Sequence, residues 1–243
     1  MLTEDELIRY DRQIMIFGKE GQEKLKKAKV AVVGVGGLGS PIAIYLTAAG
    51  IGKIILIDSQ VPELSNLNRQ VLHWEPDLGK RYKVESAKEK LEKLNSTIKI
   101  IPIKEKLNKD NIEQILNDVD IVVDALDNFS TRYILNEFCV KKGIPLIHGA
   151  VEGYLGQITT IIPGETPCLR CIFPEKQDRG EKFPIVGTTA GAIGIMQANE
   201  VIKMITGHGE LIKNKLLFVD FAHNDFQAIP VKRNKNCPVC GSR

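Results

Sequence analysis

The chain has 243 residues, of which 43% are hydrophobic and 26% charged, and this composition excludes a disordered chain, a fibre and a coiled coil. The net charge of +3 is too small, and the lysines and arginines are too dispersed, to predict nucleic-acid binding. The apolar runs have strand length, well short of the ~20 residues of a membrane span. The acidic N-terminus lacks the basic start of a signal peptide. We therefore expect a cytoplasmic protein that binds neither nucleic acid nor a membrane.

Short apolar runs alternate with amphipathic stretches through the first 150 residues. The segment 3–28 predicts two short helices beside a sheet. The predicted strands are 29–34, 53–58, 98–103, 119–124 and 144–148, and the predicted helices between them are 37–49, 83–94, 109–117 and 129–142. Buried strands that alternate with helices are typical of right-handed βαβ units on a parallel sheet.

From about residue 150 the pattern changes to strands with only one helix between them. The predicted elements are the strands 155–162, 215–221 and 226–232 and the helix 189–206. Residues 174–187, with two prolines, two glycines and six charges, predict a mobile loop. We expect one α/β domain over 1–243, with a nucleotide-binding half at 29–150 and an antiparallel extension at 151–243. Its fold class would be a Rossmann-like, mainly parallel sheet extended by antiparallel strands.

A glycine-rich turn follows the first predicted strand. It consists of Gly34, Val35, Gly36, Gly37, Leu38 and Gly39. Glycines allow the backbone to approach a phosphate, and the following helix N-terminus supplies N–H donors. Asp58 ends the second strand 24 residues after Gly34, where a carboxylate can accept from ribose hydroxyls. The pattern predicts a nucleotide site but does not separate a dinucleotide from ATP, and a tight turn without a ligand is the alternative.

Further polar and charged residues recur in three separate segments. They are Asn66 and Arg69 in 64–70, Lys83 in 79–85, and Asp127, Asn128 and Arg132 in 124–132. A nicotinamide dehydrogenase has no need of so many cations, whereas a site that joins an anionic substrate to a triphosphate does, because the two anions repel each other. Arginine and lysine bind phosphate oxygens, and an aspartate can hold a Mg²⁺ ion that bridges the phosphates.

These motifs resemble the MoeB/ThiF/HesA family, the prokaryotic relatives of ubiquitin-activating enzymes. The string from Ser65 to Gln70, between the glycine turn and Asp127, carries the resemblance, which extends from Arg9 to Gly241. It implies an ATP-dependent adenylyltransferase that converts the C-terminal Gly-Gly carboxylate of a small ubiquitin-like (β-grasp) sulfur-carrier protein into an acyl-adenylate and releases pyrophosphate. Molybdopterin, thiamine and tRNA-thiolation sulfur chemistry all stay open as the pathway.

The resemblance also implies a role for each motif residue. It implies that the nucleotide is lined by Gly34, Gly36, Gly37 and Gly39 and that its ribose is bound by Asp58. The phosphates would be contacted by Asn66, Arg69 and Lys83, and Mg²⁺ would be bound by Asp127. Arg12 would reach the partner's site in a homodimer, and Asn128 and Arg132 would lie near the adenylate. Arg12, Arg69, Lys83 and Asp127 are therefore the catalytic candidates. The alternatives are that Arg69 and Lys83 are solvated surface cations and that Asp127 caps the helix beginning near Ser130.

Four of the five cysteines form two Cys-x-x-Cys pairs. They are Cys168, Cys171, Cys237 and Cys240. Two such turns brought together favour a structural zinc ion held by four thiolates, which leaves no open position for catalysis. The ion would pin the C-terminus to the base of the 174–187 loop, and free or redox-active thiols are the alternatives. We expect the fifth cysteine, Cys139, to be a small buried residue in a helix.

The sequence departs from the family pattern in two places. No cysteine occurs in 172–187, where many relatives carry one for a covalent step, so we expect the reaction to stop at the adenylate. Gln60 stands where many relatives have an acid. Two other functions stay open: an NAD-dependent oxidoreductase, which would not explain Asn66, Arg69, Lys83 and Asp127, and a non-catalytic zinc-bearing scaffold that binds a β-grasp protein.

Overall fold

A computed structural model describes residues 1–178, 180 and 183–241. The strands are β1 (Lys29–Val33), β2 (Lys53–Ile57), β3 (Lys99–Ile103), β4 (Ile121–Asp124), β5 (Leu146–Glu152), β6 (Leu155–Ile161), β7 (Lys215–Asp220) and β8 (Asp225–Pro230). The helices are α1 (Glu4–Arg9), α2 (Asp11–Lys27), α3 (Gly39–Ala49), α4 (Lys83–Leu94), α5 (Ile112–Leu116), α6 (Phe129–Lys142), α7 (Leu169–Ile172) and α8 (Gly187–Thr206). Short 3₁₀ turns lie at Leu64–Asn66 and Glu75–Asp77.

These strands form one sheet in the order β3-β2-β1-β4-β5-β6-β7-β8. The five strands from β3 to β5 pair in parallel, and β6, β7 and β8 extend the sheet through antiparallel pairs. The predicted fold class is confirmed. The chain builds outward from β1 to β3 and then returns to place β4 on the other side of β1. Ligands of such sheets bind where the strand order reverses, at the carboxyl ends of the strands.

Both faces of the parallel strands are covered, which explains their nearly continuous apolar sequences. In β1, Val30 and Val32 belong to the core shared with α2, α3, α4 and α8. Ala31 and Val33 face the opposite core, to which α5, α6 and α7 contribute. The parallel part of the sheet is therefore the middle of three layers, which leaves its strand ends for ligands.

The observed elements differ from the predicted ones mainly at their ends. The strand predicted at 144–148 continues to Glu152 and turns directly into β6, because Gly149 and Ala150 pair with β6 although they interrupt the apolar run. The second N-terminal helix has 17 residues and bends at Gly18, where φ is +70°. The loop predicted at 174–187 includes residues 179, 181 and 182, which lie outside the described residues. Among the described helices none is both long and apolar enough to cross a bilayer.

Candidate active site

The carboxyl ends of β1, β2 and β4 open into a cleft of about 750 Å³. The candidate residues in its lining are Gly34, Gly36, Gly37, Asp58, Asn66, Arg69, Lys83, Asp127, Asn128 and Arg132. The glycine turn, the end of β2 and three later segments thus contribute to one cavity. Two candidates, Gly39 and Arg12, are not part of this lining.

The glycines of the turn fulfil different structural requirements. Gly34 has φ +94°, and a Cβ there would lie 2.5 Å from the carbonyl oxygen of Ala125. A Cβ on Gly39 would lie 2.0 Å from the carbonyl oxygen of Gly34, so Gly39 lets α3 pack against the strand end. Gly36 and Gly37 face the cleft, and within the described part of the chain their N–H groups have no hydrogen-bond partner. Unpaired N–H groups next to a helix N-terminus can bind an anion.

The carboxylate of Asp58 is held in place by two backbone donors. Its Oδ2 accepts from the N–H of Val35 at 2.9 Å, and its Oδ1 accepts from the N–H of Gln60 at 2.8 Å. The first bond joins the end of β2 to the glycine turn. Asp58 therefore has a fixed position at the rim of the cleft, as a ribose acceptor requires.

Lys83 is buried, with 3% of its surface exposed, so it is not a solvated surface cation. Its Nζ donates to Oε1 of Gln60 at 2.6 Å. Burial lowers the pKa of Lys83, and the nearby carboxylates of Asp58 and Asp127 partly oppose this effect. Gln60 is thus the group that directs this ammonium.

Asn66 ends the 3₁₀ turn Leu64–Asn66, and Arg69 lies three residues after it. Asn66 is buried, and its Oδ1 accepts from the N–H of Glu63 at 3.1 Å. The half-buried Arg69 donates from Nη1 to the carbonyl oxygen of Ser65 at 2.9 Å and to Oδ1 of Asn68 at 3.2 Å. These bonds hold the guanidinium stem in the cleft wall.

Asn128, not Asp127, caps α6. The Oδ1 of Asn128 accepts from the N–H of Thr131 at 2.9 Å, and its Nδ2 donates to Oδ1 of Asp127 at 3.1 Å. Asp127 itself is exposed to the cleft. The helix-cap alternative for Asp127 is therefore wrong, and its carboxylate is accessible for a ligand.

Asp178 also lies at the N-terminus of α6, and the sequence analysis missed it. Its carboxylate accepts from the N–H of Phe129 and, with Oδ2, from the N–H of Ser130 at 3.3 Å. Asp178 belongs to the segment predicted as a loop, so this contact anchors that segment beside the cleft. No local sequence signal marks the contact, because the partners are about 50 positions apart.

A buried ion pair lies beneath the loop that contains Asp127. Arg132 contacts Oδ2 of Asp124 at 3.2 Å and donates to the carbonyl oxygens of Leu126 and Gly149, the latter at 3.1 Å. His148 adds a 2.7 Å bond from Nδ1 to the same Oδ2. Burial alone would raise the pKa of Asp124, but Arg132 and His148 outweigh it and the pKa is lowered. Arg132 thus holds the loop in place through its Nε and Nη2 groups.

A second cavity of about 520 Å³ adjoins the cleft on the side of the antiparallel strands. It shares Asp127, Asn128 and Arg132 with the cleft, and its other walls include Gln157 of β6 and Phe218 of β7. The two cavities therefore meet at the loop before α6. An extended chain lying along β6 and β7 would end beside Asp127.

Arg12 lies on the exposed side of α2, away from the cleft lining of its own chain. Among the described residues it has no hydrogen-bond or ion-pair partner. Three large apolar side chains nearby on α1 and α2 are also exposed, namely Ile8, Met15 and Ile16. These exposed apolar side chains lie among the charged residues of α1 and α2.

The two cysteine pairs meet on the opposite side of α6. The Sγ atoms of all four cysteines lie within 4.8 Å of one another, with Cys168 and Cys237 at 3.6 Å and Cys171 and Cys240 at 3.4 Å. Tetrahedral bonds of ~2.3 Å to zinc would place sulfurs ~3.8 Å apart, so the donor set fits this ion. Cys139 is separate and fully buried in α6, as predicted.

The comparisons with known proteins agree with this geometry. A model of the ThiF family matches residues 10–239. The SAMP-activating enzyme E1 of Haloferax volcanii is 41% identical over 247 residues, covering 99% of this chain and 91% of the relative. The sulfur carrier protein adenylyltransferase of Thermus thermophilus is 39% identical over 251 residues, covering 98% and 92%. The structure of E. coli MccB with ATP matches with a TM-score of 0.87 at 29% identity, covering 96% of this chain and 75% of MccB. The family predicted from the sequence is thereby confirmed, and the chain belongs to the ThiF family.

Proposed function

We propose that the chain is an ATP-dependent adenylyltransferase that activates the C-terminal carboxylate of a small ubiquitin-like sulfur-carrier protein. The observation that carries this proposal is the convergence on one cleft of two cations, an exposed carboxylate and glycine N–H groups that have no partner among the described residues. The relatives from Haloferax and Thermus are named as enzymes of this kind. We expect the whole of 1–243 to act as one adenylation domain in the cytoplasm.

The nucleotide would lie with its ribose at Asp58 and its phosphates at the glycine turn. Asn66, Arg69 and Lys83 would contact the phosphate oxygens and neutralise their charge. Asp127 would hold Mg²⁺, which supplies further neutralisation of the phosphates. The attacking carboxylate is already ionised at pH 7, so the reaction needs no general base. Positioning and electrostatic stabilisation would then provide most of the rate.

The second cavity would receive the C-terminal tail of the carrier protein. Its floor lies on β6 and β7, and it joins the cleft at Asp127 and Asn128, where the carboxylate must meet the α-phosphate. A tail that ends in Gly-Gly would bring no side chain to this junction. Lys106 and Lys176 line the same cavity and would attract the terminal carboxylate.

We further propose a homodimer in which Arg12 completes the partner's site. The exposed Ile8, Met15 and Ile16 would be covered in the interface, and Arg12 would gain the anionic partner that it lacks in the described monomer. The four clustered cysteines would bind a structural zinc ion. Since no cysteine occurs in 172–187, the reaction would stop at the acyl-adenylate.

ATP–pyrophosphate exchange, stimulated by a β-grasp protein ending in Gly-Gly, tests the function. Arg69→Ala and Asp127→Asn should each lower exchange at least ~100-fold because each loses a charged contact made in the transition state. The matched control Lys93→Ala removes an exposed cation of α4 and should exchange like the wild type. Unchanged circular dichroism and melting temperature would show that the variants are folded.

Three outcomes would contradict the proposal or its parts. Full exchange in the Asp127 variant would reject the metal role of this carboxylate. Binding of NAD without any exchange would favour the oxidoreductase. Binding of the β-grasp protein without turnover, in the presence of ATP and Mg²⁺, would favour the scaffold.

A further inference from the structure

His73 is a buried histidine that contacts the glycine turn. Only 3% of its surface is exposed, and its Nε2 lies 2.8 Å from the carbonyl oxygen of Val35. Its other ring nitrogen, Nδ1, lies 3.1 Å from the hydroxyl of Ser86 in α4. The proposed reaction assigns no role to this side chain.

The contacts determine which ring nitrogen carries the proton. A carbonyl oxygen can only accept, so Nε2 carries the proton and donates to Val35, and Nδ1 is the unprotonated nitrogen of the neutral ring. Burial lowers the pKa of His73 to about 4, which keeps the ring neutral at pH 7. The neutral tautomer is therefore fixed by the carbonyl oxygen of Val35.

A rigid polar network holds the ring from behind. Lys90 donates from Nζ to the hydroxyl of Ser86 at 2.9 Å, to the carbonyl oxygen of Leu72 at 2.7 Å and to Asp77. The hydroxyl of Ser86 also lies 2.9 Å from Oδ2 of Asp77. Because these groups are buried and bonded to one another, the position of His73 is well defined.

The hydrogen bond from His73 to the carbonyl oxygen of Val35 also orients the N–H of Gly36. The Val35–Gly36 peptide is trans, so its C=O and the N–H of Gly36 point in opposite directions. With the carbonyl held by His73, the N–H of Gly36 is turned away from His73. Gly36 lines the cleft, and its N–H has no partner among the described residues.

Asp58 fixes the peptide group that precedes Val35. Its Oδ2 accepts from the N–H of Val35 at 2.9 Å, so the peptide groups before and after this residue are both held. A turn so rich in glycine would otherwise rotate its peptide planes at low energetic cost. The orientation of the free N–H groups thus depends on two side chains from outside the turn.

We propose that His73 is a positioning residue for phosphate binding, which fixes the Val35–Gly36 peptide so that the N–H of Gly36 is presented to the phosphates of ATP. This inference rests on the proposed nucleotide substrate. His73 does not touch the nucleotide and transfers no proton. It makes the orientation of the donor a property of the folded chain before ATP binds.

Two substitutions at position 73 distinguish the contact with Val35 from the contact with Ser86. The amide of His73→Gln is long enough to place a donor where Nε2 lies, whereas the shorter amide of His73→Asn reaches Ser86 but not Val35. Affinities for ATP and for adenosine are measured side by side on each folded variant, by competition against a fluorescent nucleotide. Adenosine has no phosphates, so it reports on the rest of the site.

We expect His73→Asn to bind ATP about ten-fold more weakly, in keeping with the loss of one orienting hydrogen bond, and to bind adenosine like the wild type. His73→Gln should bind ATP within about three-fold of the wild type. The control Thr160→Val removes a buried hydrogen bond to Glu200, and it should lose stability without changing the ratio of the two affinities.

Equal weakening of ATP and adenosine in His73→Asn would overturn the proposal, because it would indicate a general structural role. Unchanged ATP affinity in this variant would overturn it as well. If the wild type binds no ATP at all, the proposed function itself fails, and this result is distinct from the other two.

Discussion

Alanine at Gly36 and alanine at Gly39 add the same methyl group to one turn, with different expected consequences. At Gly39 the new Cβ would lie 2.0 Å from the carbonyl oxygen of Gly34, about 1 Å inside the shortest contact that real Cβ atoms make. The obstructing atom belongs to the backbone, and the N–H of Gly34 is bonded to the carbonyl oxygen of Ile57 at 2.8 Å. The start of α3 must therefore move, and we expect Gly39→Ala to lower the free energy of unfolding by about 3 kcal/mol.

At Gly36 the nearest atom to the new Cβ is Nε2 of Gln70 at 3.6 Å, an ordinary van der Waals distance to a flexible side chain. The backbone at Gly36 is not in the left-handed region, so Gly36→Ala should change the free energy of unfolding by less than about 1 kcal/mol. The methyl group would nevertheless face the cleft, where the backbone must approach the phosphates. Loss of a hydrogen bond to a charged group costs about 1.5–3 kcal/mol, so ATP should bind at least ten-fold more weakly.

Urea denaturation and ATP titration of both variants test this reasoning. Gly36→Ala should have the stability of the wild type but bind ATP more weakly, and Gly39→Ala should be less stable than the wild type. Wild-type ATP affinity in Gly36→Ala would refute the close approach of phosphate to the turn. Wild-type stability in Gly39→Ala would refute the packing argument at the start of α3.

Two other outcomes concern the metal and the effect of pH. Metal analysis should find one zinc ion per chain, and a metal-free wild type would contradict the assignment. Cys240→Ser should lose the ion and lower the melting temperature by more than about 5 °C, since structural zinc contributes on the order of 10 kcal/mol. The pKa of His73 is about 4 in the folded chain, below the ordinary 6.5 of an unfolded chain. As the pH falls below 6.5, the imidazole of the unfolded chain takes up a proton that the folded chain does not bind, and the free energy of unfolding therefore decreases. Between pH 7 and pH 5 the wild type should therefore lose about 2 kcal/mol more than His73→Gln in urea denaturation, and equal losses would contradict the buried neutral ring.

The sequence predicts the fold well because its signals are local. Continuous apolar runs of about five residues require strands covered on both faces, and in β1 and β4 this requirement is met. The glycine turn is also a local signal, and it predicts the end of β1 and the start of α3. The cysteine spacing predicts two tight turns, although only the fold brings the turns together.

The candidate site is less predictable because its geometry depends on contacts between distant segments. Gln60 directs Lys83, His73 holds the carbonyl oxygen of Val35, and Asp178 reaches the start of α6. No spacing or periodicity marks such pairs. The glycines show the same limit, since Gly39 belongs to the motif but serves the packing of α3 and does not line the cleft.

Gln60 illustrates how a neutral amide can direct a cation of the site without adding charge beside it. A carboxylate at this position would form an ion pair with Lys83 and cancel most of its charge toward the cleft. The neutral amide still directs the ammonium, through a 2.6 Å hydrogen bond, but adds no negative charge beside it. Two of the carboxylates near Lys83, those of Asp58 and Asp127, would be engaged by the ribose and by Mg²⁺ in the proposed complex. The ammonium would then act on the phosphates with nearly its full charge, in a buried position where screening by water is weak.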